Sequence, residues 1–299
     1  MATQQAVAVK AFDHTVLPVM DLWRAERFYT EVLDGAIFQK VGQTFEEASS
    51  GRAAVGTFVK LGRHHVGLFL QHRTKVVPPA SLAAGCPCWG LAVAEEEFAD
   101  VVQRVRAANV TVGPEQTVSY GGERRRSVRC TDSEGNCLEL VADPQGRIDG
   151  YRVTGLSHMH VEALELAATV DFYTRFLGAE LLEQDAQRAV LKLASGQWWI
   201  VHRVEQLSPA TIGPYRGRHF AFHVDDETFH AIVARLREAG IEEGDVRGAE
   251  PGGQPYVADR LPGELGTYFN DPNGLRLQLL NYDSSRAAAG CPLVRYCAV

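Results

Sequence analysis

Between residues 12 and 36 the chain changes period. FDHTVLPVM alternates as a strand would, and then Ala25, Phe28, Tyr29 and Val32 fall on one stripe of a helix. The same change returns in LSHMHVEALELAATVDFYTRFLG, where Leu166, Val170, Tyr173 and Leu177 recur at intervals of 4, 3 and 4. His14 to Phe28 and His158 to Phe172 both span fourteen residues, and each Phe is followed by Tyr-Thr. Gly35 and Gly178 stand where a helix end takes a left-handed residue. A second repeat lies inside each half: CWGLAVAEEEFADVVQRVRAAN (88–109) matches HFAFHVDDETFHAIVARLREAG (219–240). Here Phe98, Val101, Val102 and Val105 overlie Phe229, Ile232, Val233 and Leu236, with Asn109 and Gly240 as helix stops. Alternating segments that read as three strands follow each helix.

The pattern predicts an α+β fold of four βαβββ modules, paired 10–75 with 86–143 and 154–205 with 217–283. Each pair forms an open barrel around a cavity. The domains are then 1–147 and 148–299, joined at the Gly- and Pro-containing DPQGRIDGYRVTG. The tail SSRAAAGCPLVRYCAV has no module pattern and is expected to pack on the surface or against a partner chain.

Composition agrees with this division: 299 residues, 45% hydrophobic and 22% charged, suit two soluble domains of ordinary size. The net charge of −7, with no basic run longer than Arg124-Arg125-Arg126, argues against a nucleic-acid partner. No stretch approaches the ~20 apolar residues of a membrane helix, and the first residues lack the apolar core of a signal peptide. A cytoplasmic protein without a membrane partner is expected, acting as a homo-oligomer. Six cysteines in so long a chain read as free thiols. Cys86 and Cys88, in GCPCWG, are spaced too closely for a zinc knuckle. Of Trp198 and Trp199, one is expected in the core and one exposed or in a cavity. Two turns, DSEGNCLELV and DPNGLRLQLL, place Glu139 and Gln278 at the same count from Gly135 and Gly274.

The run from His158 through DFYTRFLG, the HFAFHVDD segment and the closing DPNG strand resemble the vicinal oxygen chelate superfamily. That family includes glyoxalases, bleomycin and fosfomycin resistance proteins, and two-domain extradiol catechol dioxygenases. Four modules over residues 10–283 resemble the layout of the last group in particular. The resemblance implies that His158, His219 and Gln278 occupy the positions of a His, His, Glu facial triad for Fe(II) or Mn(II). It also implies that Tyr268, ten residues before Gln278, hydrogen-bonds at the active site, and that His202 moves protons. The implied partners are a small catecholic or related aromatic substrate and O2. His14, Cys88 and Glu139 hold the corresponding places in the first half, as a lapsed cavity or a second site. His160 and His223 share the strand faces of the ligand positions and stand as alternatives. Two departures count against ordinary extradiol chemistry. A further family His is missing from YVADRLPGELGTY, where Asp259, Arg260 and Glu264 stand, and Gln278 is a neutral amide where a carboxylate is expected. The alternatives are an aromatic- or drug-binding protein without turnover, and a glyoxalase-type isomerase or lyase.

Overall fold

A computed structural model describes residues 8–9, 11–41, 56–71, 85–212, 218–244, 257–258 and 263–284. The C-terminal tail, with Cys291 and Cys297, and the positions Asp259 and Arg260 lie outside the described residues. Four βαβββ modules are present. The first holds β1 (Ala11–Val19), β2 (Ala36–Val41), β3 (Gly56–Leu61) and β4 (His64–Leu70). The second holds β5 (Cys88–Ala94), β6 (Val112–Tyr120), β7 (Glu123–Thr131) and β8 (Cys137–Asp143). The third holds β9 (Val153–Ala163), β10 (Glu180–Gln184), β11 (Arg188–Lys192) and β12 (Trp198–Arg203). The fourth holds β13 (His219–His223), β14 (Glu243–Gly244), β15 (Val257–Ala258), β16 (Leu265–Asn270) and β17 (Arg276–Leu280). Among the described residues, no helix is long and apolar enough to cross a membrane.

The pairing of modules differs from the sequential one expected. One sheet runs β14-β16-β17-β13-β1-β4-β3-β2, with β15 beside β16, and the other runs β10-β11-β12-β9-β5-β8-β7-β6. The first module therefore shares a sheet with the fourth, and the second with the third. The joints are antiparallel: His14 faces Ala221 and Val16 faces His219 across β1 and β13, while Gly90 faces His158 and Cys88 faces His160 across β5 and β9. Each module's first strand is covered on one side by its own last strand and leaves an open edge, which must find a partner. The short connection between Asp143 and Val153 returns the chain beside β5, so β9 takes that edge. The edges of β1 and β13 are left for each other.

Within each half of the sequence the modules are tied differently. Tyr29, on the helical segment after β1, donates its hydroxyl to Asp132 at 3.0 Å, and Tyr173 of the helix Leu166–Leu177 donates to Asp271 at 2.8 Å. Those aspartates open the two closing turns and also accept backbone N–H groups from Glu134 and Asn136, and from Asn273 and Leu275. The repeated Phe-Tyr-Thr is thus a clamp between a helix and the turn of the next module. Gly178 is left-handed, as expected, but in the first module Asp34 takes that conformation instead of Gly35. Gly35 is needed for space: a Cβ there would meet the Tyr29 carbonyl oxygen at 2.7 Å.

The two sheets pack through one continuous apolar core in which Trp89, Trp199, Phe220 and Phe222 are fully buried. Trp199 is the core member of its pair; Trp198 is also buried, beside Tyr120 and Ile200 in a smaller cluster. Trp89 donates its indole N–H to Thr15, whose hydroxyl bonds the His219 carbonyl, so the core grips the back of both strands that carry the site.

Candidate metal centre

Alternation along β1 and β13 turns His14 and His219 to the same side of the first sheet, where their Nε2 atoms come within 3.1 Å. Two ring nitrogens at that distance share one proton, or both are free to face a cation. A bulge between Phe12 and His14 breaks the alternation and lets neighbouring Asp13 meet the same cluster. Its Oδ1 accepts from His14 Nδ1 at 2.5 Å, which fixes the tautomer leaving Nε2 as a donor of electrons. Ser284 donates to the same Asp13 oxygen at 2.5 Å and lies 2.8 Å from His65 Nε2. Burial pushes the Asp13 carboxyl up, but hydrogen bonds from His14 and Ser284 and the nearby imidazoles outweigh it and hold the group well below the usual carboxylate range.

Gln278, on β17 beside β13, is 4% exposed, and its Oε1 has no hydrogen-bond partner among the described atoms. A buried amide oxygen without a donor is costly, and a bound cation would satisfy it. Tyr268 pairs with Gln278 across β16 and β17, and its ring stands edge-on to His219 at 5.2 Å. Phe58 packs against His14 and Phe38 against His65, giving the cluster aromatic walls. The donor set therefore fits a divalent ion: two imidazoles, one amide oxygen, and a carboxylate behind the first imidazole.

The expected trio is divided between sheets. His219 and Gln278 lie together, with Tyr268, but His158 belongs to the other sheet, and His14 occupies the place expected of it. The physical reason is the cross-pairing of modules. His202 is separated from Tyr268 in the same way; its Nε2 lies 2.8 Å from His160 Nδ1. Burial, with Arg129 and Arg188 nearby, lowers His202 to about 4, so it is neutral near pH 7. His223 stands at the end of β13 opposite Ala11 and joins neither cluster in the described contacts.

In the second sheet Glu139 sits among His158, His160 and Arg129. Its Oε1 accepts from Ser127 at 2.5 Å and Tyr120 at 3.3 Å, and its Oε2 accepts from Arg129 Nε at 2.9 Å and faces His160 Nε2 at 3.1 Å. His158 Nε2 is left 3.6 Å from that oxygen without a hydrogen bond. The carboxylate at the position equivalent to Gln278 is thus already paired with a guanidinium. Asp13/His14/His65 and Glu139/His158/His160 each bring ligand atoms within 4.8 Å of one another, close enough for a divalent ion. Asp13, His65 and Ser284 are not evident from alternation. The His64-His65 doublet on a strand parallel to β1 is the available signal, since His14 and His65 are register partners.

Comparisons with known proteins agree with this architecture. The metallothiol transferase FosB of Staphylococcus epidermidis is 25% identical over 129 residues, covering 42% of this chain and 81% of that protein. Solved structures share the fold across both halves, among them the following. A protein provisionally described as a dioxygenase, from Bacillus subtilis, superposes with a TM-score of 0.67 at 14% identity, covering 92% of this chain and 86% of its own. Glyoxalase I from Zea mays does so with a TM-score of 0.64 at 17% identity, covering 95% and 96%. The family model of the Glyoxalase/Bleomycin resistance protein/Dioxygenase superfamily matches residues 11–140 and 155–279, and the chain belongs to that superfamily.

Proposed function

We propose that the protein is a metal-dependent oxygenase of extradiol type, opening an aromatic ring beside two vicinal hydroxyls, with His14, His219 and Gln278 holding the metal. The observation that carries this reading is the unpartnered, buried Oε1 of Gln278, on the strand beside the one whose His219 meets His14 at 3.1 Å. Fe(II) or Mn(II) held there would supply a positive centre for two adjacent substrate oxygens and a redox couple for O2. All three donors are neutral, which leaves the whole ionic charge to be balanced by a deprotonated diol. Asp13 orients His14 and holds its Nδ1 proton. His65, Ser284 and Asp13 form a line of imidazole, hydroxyl and carboxylate at 2.8 and 2.5 Å that can carry a proton from the diol. That line takes the acid-base place expected of His202. Tyr268 holds the substrate side of His219, and Phe58 and Phe38 offer flat walls for an aromatic ring.

One observation favours a second reading, a metal-assisted isomerase or lyase without O2. A neutral Gln278 in place of a carboxylate leaves a bound ion more electron-poor, which suits polarising a carbonyl better than activating O2. Anaerobic loading with Fe(II) or Mn(II), followed by oxygen-electrode measurements with a panel of catechols, separates the two. Stoichiometric O2 uptake with a ring-opened product supports the oxygenase. Metal-dependent turnover of a hemithioacetal without O2 supports the isomerase. A protein that binds neither ion sinks both.

A further inference from the structure

The pair Cys86-Pro87-Cys88 has no part in the centre described above, yet the fold brings two histidines to the first of its sulfurs. Cys86 lies just before β5, His160 lies on β9 and His202 on β12, and β9 runs between β5 and β12 in the sheet. One ligand atom from each, Cys86 Sγ and a ring nitrogen from each histidine, lies within 4.8 Å of the others. Cys86 is 5% exposed and His160 1% exposed, while His202 is half-buried and gives access to solvent.

The orientation of His160 is the telling feature. Its Nε2 faces the Glu139 carboxylate at 3.1 Å, and its Nδ1 faces His202 Nε2 at 2.8 Å. A histidine that gives one N–H to a carboxylate and turns its other nitrogen toward further ligands is arranged as metal-binding histidines are, the carboxylate acting from behind. Asp13 and His14 repeat this logic in the other sheet with the ring nitrogens exchanged. Charge permits a cation here as well. Arg129 is offset by Glu139 at 2.9 Å, so an arriving ion meets a neutral pair and the Cys86 thiol, whose proton burial holds until a metal displaces it. Two imidazoles and a thiolate are a borderline-to-soft donor set, which selects Zn(II) over the hard ions that prefer oxygen.

We infer that Cys86, His160 and His202 form a second, independent metal site, selective for Zn(II) and separate from His14, His219 and Gln278. Metal uptake is balanced by loss of the Cys86 thiol proton to solvent; no electrons are transferred.

Co(II) titration of the full-length metal-free protein tests this, because a thiolate ligand gives cobalt a charge-transfer band in the near ultraviolet that nitrogen and oxygen ligands do not. The expected result is a band that saturates at one cobalt per chain, is displaced by Zn(II), disappears in Cys86→Ser, and persists in Cys88→Ser and Gln278→Leu. His202→Ala, with folding checked by circular dichroism, should weaken cobalt binding at least tenfold and serves if Cys86→Ser does not fold. No band in the wild-type protein, a band that survives Cys86→Ser, or one lost in Gln278→Leu would overturn the inference.

Discussion

Single residues decide which donors are free and which are spent. Glu139 is a carboxylate already satisfied by Ser127, Tyr120 and Arg129, whereas Gln278 is an amide whose oxygen is satisfied by nothing described. Gln278→Glu should therefore tighten Mn(II) binding by adding a charge at the open position. Asp13→Asn should weaken it by about 10- to 100-fold through loss of the support behind His14; isothermal titration calorimetry reads both. Unchanged affinity in Asp13→Asn would mean that His14 is not a ligand. Protonation gives another test. Burial lowers His64 to about 4, His160 to about 3 and His202 to about 4, from an ordinary value of 6.5. The unfolded chain takes up these protons near 6.5 and the folded chain does not, so their stabilising effect is complete above that value and is lost as pH falls toward the folded values. Asp132, raised to about 6 by burial, works in the opposite sense at lower pH. The cleanest comparison is thus urea unfolding at about pH 7.5 and about pH 6, where stability should fall on acidification. A rise would contradict the assignment of these histidines as buried and neutral.

At the scale of elements, most of the architecture is legible in the sequence. The helical stripe Leu166, Val170, Tyr173, Leu177 is buried as its spacing predicts, and Asn109 and Gly240 are left-handed stops. Counting from Gly274 also places Gln278 beside Tyr268. Local periodicity fixes these features, because they depend on neighbours a few residues away. It cannot show that Asp13 escapes alternation through a bulge, nor that the repeated tyrosine serves the next module's turn. Tyr173→Phe should leave buried Asp271 short of a donor and cost about 1–3 kcal/mol, measured as a shift in the urea midpoint at unchanged slope. A neutral effect would show that the clamp is incidental.

Across the whole molecule, one choice was not legible: which modules share a sheet. All four first strands offer similar edges, and His14 and His158 occupy equivalent positions in the repeat, so the pattern alone does not say which of them joins His219. The cross-pairing has a mechanical consequence, since each sheet draws strands from both halves of the chain. Residues 1–147 and 148–299 expressed separately should not behave as independent stable monomers. Mixed, they should recover a one-to-one complex, seen by size-exclusion chromatography with light scattering. Two stable monomeric halves would contradict the strand order.

The most direct measurement is Mn(II) stoichiometry by electron paramagnetic resonance in wild-type protein and in His14→Ala, His158→Ala and Gln278→Ala. One bound Mn(II) per chain, lost in the His14 and Gln278 variants and retained in His158→Ala, is the predicted result. Loss in His158→Ala with retention in His14→Ala would contradict it.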